Sequence, residues 1–139
     1  MPANIKTVAV LPFDNLTADP TLTQEVLQSV RQAMSQRLGL REAGESQADA
    51  IVRGSITNYV PDIPVQFQGQ ADQQVSVTQR LLQITVSVEI LDQKAGKPLW
   101  QRTGLTVDGD YTPGREIDGR RKALDKLVTN IVDGAQSQW

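Results

Sequence analysis

The side chains best suited to chemistry by type and spacing are Asp108 and Asp110, two carboxylates separated only by Gly109, with Glu116 and Asp118 a few residues further on. Alternate residues of an extended chain point to one side, so this pair could offer oxygen ligands to a divalent cation. The calcium-loop pattern is not met. With Asp108 as its first position, Pro113 stands where the invariant glycine belongs and Gly119 where the bidentate glutamate belongs. Solvation of a strand end and capping of a helix account for these acids, and no metal is expected.

Other chemistry lacks its usual residues. The chain contains no histidine and no cysteine, which removes the ordinary near-neutral general base, the thiol nucleophile and the commonest zinc ligands. Its serines lie outside any Gly-x-Ser-x-Gly elbow, and Gly39, Gly44 and Gly54 are isolated rather than grouped into a phosphate loop. The chain therefore reads as a non-enzyme without a cofactor. Lysine and arginine number 14 against 16 aspartates and glutamates, a net charge of −2, so no strongly basic surface is available for nucleic acid. No apolar run is long enough to span a bilayer.

These residues must be held by a scaffold, and hydrophobic periodicity outlines it. At 139 residues the sequence suits a single domain, 1–139. Ile5 to Leu11 is a short β-branched run closed by Pro12-Phe13-Asp14-Asn15, which reads as a buried first strand with an exit turn. Asp19, Pro20 and Thr21 signal a helix start. Leu22, Val26, Leu27, Val30, Ala33, Met34 and Leu38 form its apolar stripe, Gln24, Gln28, Arg31, Gln32 and Gln36 fill the other side, and Gly39 stops it. Arg41 to Asp49 is polar and reads as a surface connection.

A second strand covers Ala50 to Val60, with Ala50, Val52, Ile56 and Val60 inward, Arg53, Ser55, Thr57 and Tyr59 outward, and Ile51 out of phase. The glutamine-rich segment near 61–78 reads as a long polar loop or a projecting strand extension. The cleanest alternation is Leu82, Ile84, Val86, Val88 and Ile90 against Gln83, Thr85, Ser87 and Glu89. A hairpin turn at 92–98 leads to a fourth strand through Trp100, Leu105 and Val107, with Gly104 marking a bulge and Trp100 a core or sheet anchor. A last helix follows Thr112-Pro113-Gly114, with Ile117, Leu124, Leu127, Val128, Ile131, Val132 and Ala135 as its stripe. Its early basic cluster, Arg115, Arg120, Arg121, Lys122 and Lys126, reads as a solvated face. The expected fold is α+β: a two-layer sandwich of order β-α-β-β-β-α, with two helices on one face of a largely antiparallel four-stranded sheet and the other, polar face open.

Three phrases carry a family resemblance: Ile5 to Asn15 (Ile-Lys-Thr-Val-Ala-Val-Leu-Pro-Phe-Asp-Asn), Ala48 to Ile56 (Ala-Asp-Ala-Ile-Val-Arg-Gly-Ser-Ile) and Gly96-Lys97-Pro98-Leu99-Trp100. Together the chain resembles the lipopolysaccharide-assembly lipoprotein family, LptE. That resemblance implies a two-layer α/β sandwich anchored by lipid to the periplasmic face of the outer membrane, acting without catalysis as plug and assembly factor of an LptD-like β-barrel that handles lipopolysaccharide. The family's anchoring cysteine would precede residue 1. The opening phrase is also similar to the amino-terminal domain of TolB, to CsgG-like secretion lipoproteins and to outer-membrane activators of peptidoglycan synthases. The alternative function is thus an accessory module for an envelope enzyme or secretion channel. By charge and expected exposure, Arg53, Lys94, Lys97 and Arg102 are the residues assigned to lipopolysaccharide phosphates.

Overall fold

A computed structural model describes residues 1–65 and 79–137. Its elements are β1 (Thr7–Val10), β2 (Asp14–Asn15), α1 (Thr21–Gln36), β3 (Arg41–Glu42), β4 (Ala50–Val65), β5 (Gln79–Asp92), β6 (Lys97–Tyr111) and α2 (Glu116–Gln136). The expected two-helix α+β architecture is present, but the sheet is six-stranded and mixed rather than four-stranded and largely antiparallel. Its order is β3-β1-β4-β5-β6. The short strand β2 also pairs with β4. β4, β5 and β6 form an antiparallel meander, whereas β1, β2 and β3 join in parallel.

Two departures trace to backbone hydrogen bonding outside any local pattern. Pro12 to Asn15 is not simply an exit turn. After β1 the chain stays extended, buries Phe13 against the glycine of β4, and pairs again at Asp14–Ser55 and Asn15–Ile56. Gly54 makes room for that ring, since a Cβ there would lie 2.9 Å from the Phe13 Cε2 atom. Likewise Arg41–Glu42, expected as surface connection, lines up beside Thr7 and Val8.

Other expectations hold. Leu82, Ile84, Val86, Val88 and Ile90 are all buried beneath the helices. Helix α1 buries Leu22, Val26, Leu27, Val30, Ala33 and Met34. Gly39 ends it with φ of 67°, a conformation open to glycine at little cost, and its N–H donates to the Ser35 carbonyl. At the start of α1 the Asp19 carboxylate accepts from the Thr21 N–H at 3.0 Å. Gly104 marks a bulge as expected: with φ of 70° it absorbs the register shift between Val86–Leu105 and Val88–Arg102.

Helix α2 runs back along β6, antiparallel to it. Gly134 lies under the indole of Trp100, Asn130 accepts from Arg102 at 3.4 Å, and Gly119 meets Gly109. One residue of its expected stripe is misplaced: Ile117 is 66% exposed. It sits in the first turn, which meets the sheet through Gly119, and it points toward the space between α1 and α2 instead.

The segment expected as loop or extension near 61–78 is strand through Val65, where β4 pairs with β5 at Val65–Gln79; residues 66–78 lie outside the described residues.

Candidate functional site

The sheet face away from the helices carries Arg53, Ser55, Thr57, Gln83, Thr85, Ser87 and Glu89. Strand alternation places them there, because their neighbours fill the core. The face is internally bonded. Arg53 donates to Glu89 at 3.1 Å, the Thr57 hydroxyl donates to the Thr85 carbonyl at 3.2 Å, and the Thr85 and Thr106 hydroxyls share a hydrogen bond at 3.0 Å.

Tyr59 is not on this face. A register shift between Ile56 and Asn58 inverts the alternation of β4, so the ring turns to the helix side, beside Glu116 and Arg120. Nor is the face uniformly open. Ile51, out of phase in the sequence, packs with Ala9 and Ala48 under the turn from Ala43 to Ala48, which forms a second small apolar cluster.

The four cations assigned to phosphate do not form one cluster. Arg53 and Arg102 border a shallow groove of about 420 Å³ that crosses the face toward Leu11, Pro12 and Asp14. Arg53 is already neutralised by Glu89, while Arg102 reaches Asn130 on α2. Lys94 and Lys97 belong to the β5–β6 turn. Lys94 is 3.7 Å from Asp49, and Lys97 opens β6 opposite Asp92.

Asp49 is a structural fixture. Its carboxylate accepts from the N–H groups of Lys6 at 2.9 Å and Thr7 at 3.2 Å, and its own N–H donates to the Thr7 hydroxyl. The Lys6 donor above all, with the Thr7 donors and the charge of Lys94, holds its pKa below the usual aspartate value against the opposing effect of desolvation.

Asp108 and Asp110, the carboxylates that suggested a cation, meet cations of the protein itself. Lys126 contacts Asp108 at 2.6 Å and Lys122 contacts Asp110 at 3.3 Å. Two residues along a strand span roughly 7 Å and one helical turn spans about 5.4 Å, so the two pairs form side by side. No group of acidic residues that could hold a metal occurs among the described residues.

Arg120 is the functional-looking residue that sequence reasoning missed. Its side chain is only 16% exposed, and it contacts Asp19, Glu25 and the Tyr59 hydroxyl while its guanidinium stacks 5.3 Å from the Tyr59 ring centroid. Burial opposes its charge, but Tyr59, Glu25 and Asp19 outweigh that and raise its pKa. Burial, then the bond to Glu116, pushes the Tyr59 phenol up to about 12. All these groups are engaged with one another, so the cluster ties α1, α2 and β4 together rather than presenting reactive atoms.

The fold and its sites define a class: a two-layer α+β domain in which two helices cover one face of a mixed sheet and the opposite face stays largely polar. Solved structures share it. A minor lipoprotein from Acinetobacter baumannii is 18% identical, covers 93% of this chain and 91% of its own length, and superposes with a TM-score of 0.58. A lipoprotein from Neisseria meningitidis is 14% identical, with 92% and 96% covered and a TM-score of 0.52. A hypothetical protein from Chlamydia trachomatis is 10% identical, with 94% and 98% covered and a TM-score of 0.57. At these identities the likeness is one of fold. Comparison with curated proteins returns no match. The chain belongs to the LptE lipopolysaccharide-assembly family, whose model matches residues 5–136.

Proposed function

We propose that this chain is the plug and assembly factor of an LptD-type β-barrel that exports lipopolysaccharide, acting without catalysis and held by a lipid anchor at the periplasmic face of the outer membrane. The observation that carries the reading is the family match over 5–136, on a fold whose uncovered sheet face displays hydroxyls, amides and paired charges. A protein seated in a barrel lumen meets a polar wall, and such a face can hydrogen-bond to it. No described helix is long and apolar enough to cross a membrane, and a lipid anchor supplies attachment without one.

The test is coexpression with the barrel protein of the same envelope, with a photo-crosslinking residue at Thr57 or Thr106 on the uncovered face. A purified complex crosslinked at these positions is expected. Absence of any complex, or stimulation of a peptidoglycan synthase by the chain alone, overturns the reading.

Within this function, Arg53, Lys94, Lys97 and Arg102 are proposed to contact lipopolysaccharide phosphates. Lys97 and Arg102 have no carboxylate partner among the described residues, which leaves their charges available. Replacing all four by glutamine should weaken lipopolysaccharide binding, and unchanged binding removes the assignment.

A further inference from the structure

The uncovered sheet face carries its charges in a fixed order. Across the strands near Ser55, Asp14 stands on β2, Arg53 on β4, Glu89 on β5 and Arg102 at the β6 rim, and all four line the shallow groove. The signs alternate: minus, plus, minus, plus. Arg53 and Glu89 are register partners joined at 3.1 Å, whereas among the described residues exposed Asp14 has no cationic partner and Arg102 no anionic one. Neighbouring strands lie about 4.8 Å apart, so the pattern is centred midway between β4 and β5, with the strands of Asp14 and Arg102 each about 7 Å from that midline.

A run of signs that alternates about its own midline is complementary to itself when turned over. A two-fold axis along the midline, parallel to the strands, puts Arg53 of each copy over Glu89 of the other, Asp14 over Arg102, and Ser55 over its register partner Ser87. The remaining charges do not upset this pattern. Asp108 and Asp110 meet Lys126 and Lys122 of their own chain, and β3, with Arg41, falls outside the overlap because β6 has no strand beyond it. The turn from Ala43 to Ala48 covers Ala9 and Ile51, so the matching surface begins at the Arg53–Glu89 pair.

We infer that the uncovered face docks a second copy of this chain, as a face-to-face dimer related by that two-fold axis. An overlap four strands wide and about 20 Å long covers on the order of 400 Å² per copy, below the roughly 800 Å² of a standard interface, so the dimer is weak and depends on concentration. The inference rests on the charge pattern alone and not on the barrel reading. Because the barrel is proposed to take the same face, the two associations exclude each other.

Sedimentation equilibrium of the purified chain tests this with no barrel present. A monomer–dimer equilibrium is expected, weakened about tenfold by about 1 M salt. Arg53→Glu and Glu89→Arg each set like charges across the axis and should weaken self-association about tenfold. Mixed in equal amounts, the two variants should form a heterodimer of about the wild-type affinity, since each then meets the opposite sign, and no loss of folding can imitate that gain. Asp14→Lys and Arg102→Glu, at the ends of the pattern, give a second such pair that leaves the bond between Arg53 and Glu89 intact. Wild-type chain that stays monomeric at about 1 mM, single variants that associate as the wild type does, or mixtures of both pairs that stay monomeric would overturn the inference. Crosslinking of Thr57 to the coexpressed barrel tests the other reading separately, and either result stands without the other.

Discussion

Gly109 of β6 and Gly119 of α2 meet backbone to backbone. A Cβ on Gly109 would overlap the Gly119 carbonyl, and one on Gly119 would lie 2.6 Å from the Tyr111 ring and 3.1 Å from the Gly109 carbonyl. The helix can approach the strand this closely only because neither residue has a side chain. At Gly109 the obstacle is backbone, so relief requires the helix to move, and at Gly119 the buried Tyr111 ring must shift. Gly109→Ala and Gly119→Ala are each expected to destabilise by about 3 kcal/mol, read as a lower denaturation midpoint in urea.

A second contact of this kind gives an optical readout. The indole of Trp100 lies over Gly134, where a Cβ would come within 2.6 Å of its Nε1 and Cδ2 atoms. In a Trp139→Phe background, where Trp100 is the remaining tryptophan, Gly134→Ala should push the indole toward water. A red-shifted emission and a loss of about 2 kcal/mol are expected. Unchanged emission would mean that the ring is not seated on the helix.

How much of this was legible in the sequence depends on whether the cause is local. The inward positions of β5 and the stripe of α2 from Leu124 onward follow from periodicity, and the structure buries them. So does the bulge at Gly104, announced by a glycine in a strand. Alternation puts Tyr59 on the wrong side because the register shift after Ile56 leaves no mark in composition, and a single extra residue inverts every side chain beyond it. β2 and β3 are two residues each, too short to show a period. Arg120 looked like one cation among five, since its anionic partners Asp19 and Glu25 lie 101 and 95 residues away and no helical spacing connects them.

Arg120 should therefore behave as an interior residue. Arg120→Ala strands Asp19 and Glu25 beside each other and removes the stacking on Tyr59. Because the partners keep contact with water, the loss should be about 2 kcal/mol rather than that of a fully buried pair. Arg120→Lys should recover little, because one ammonium cannot reach three partners in the plane of a guanidinium. A triple variant, Arg120→Met with Asp19→Asn and Glu25→Gln, should recover much of the stability by removing the unpaired anions. Equilibrium unfolding of the three proteins decides the point.

Acid should loosen the sheet at β1 first. Asp49 has its pKa lowered by the Lys6 and Thr7 donors, and Asp19 by the Thr21 hydroxyl and N–H and by Arg120. A carboxylate with a lowered native pKa contributes stability that is complete above its ordinary value of 3.8 and is lost as the pH falls through the native value. Asp49→Asn should accordingly reduce stability at neutral pH and flatten the acid limb of the stability profile. A parallel, undiminished acid limb in the variant would show that Asp49 does not link protons to folding.

Alkali offers the complementary test, because the chain has two tyrosines and both are shielded. Burial pushes Tyr59 up to about 12, with the bond to Glu116 adding to the shift, and burial raises Tyr111 as well, whose hydroxyl donates to the Pro61 carbonyl at 2.6 Å. A phenol with a raised native pKa stabilises the fold fully below its ordinary value of 10.0 and loses that contribution as the pH rises through the native value. Phenolate absorbance should thus stay flat through the ordinary tyrosine range and rise only with unfolding or near the native value. In Glu116→Gln the Tyr59 phenol loses a neighbouring anion, so its absorbance step should move to lower pH while that of Tyr111 moves less. A phenolate step at the ordinary tyrosine pH in the folded protein would place Tyr59 back on the open face of the sheet, where alternation alone puts it.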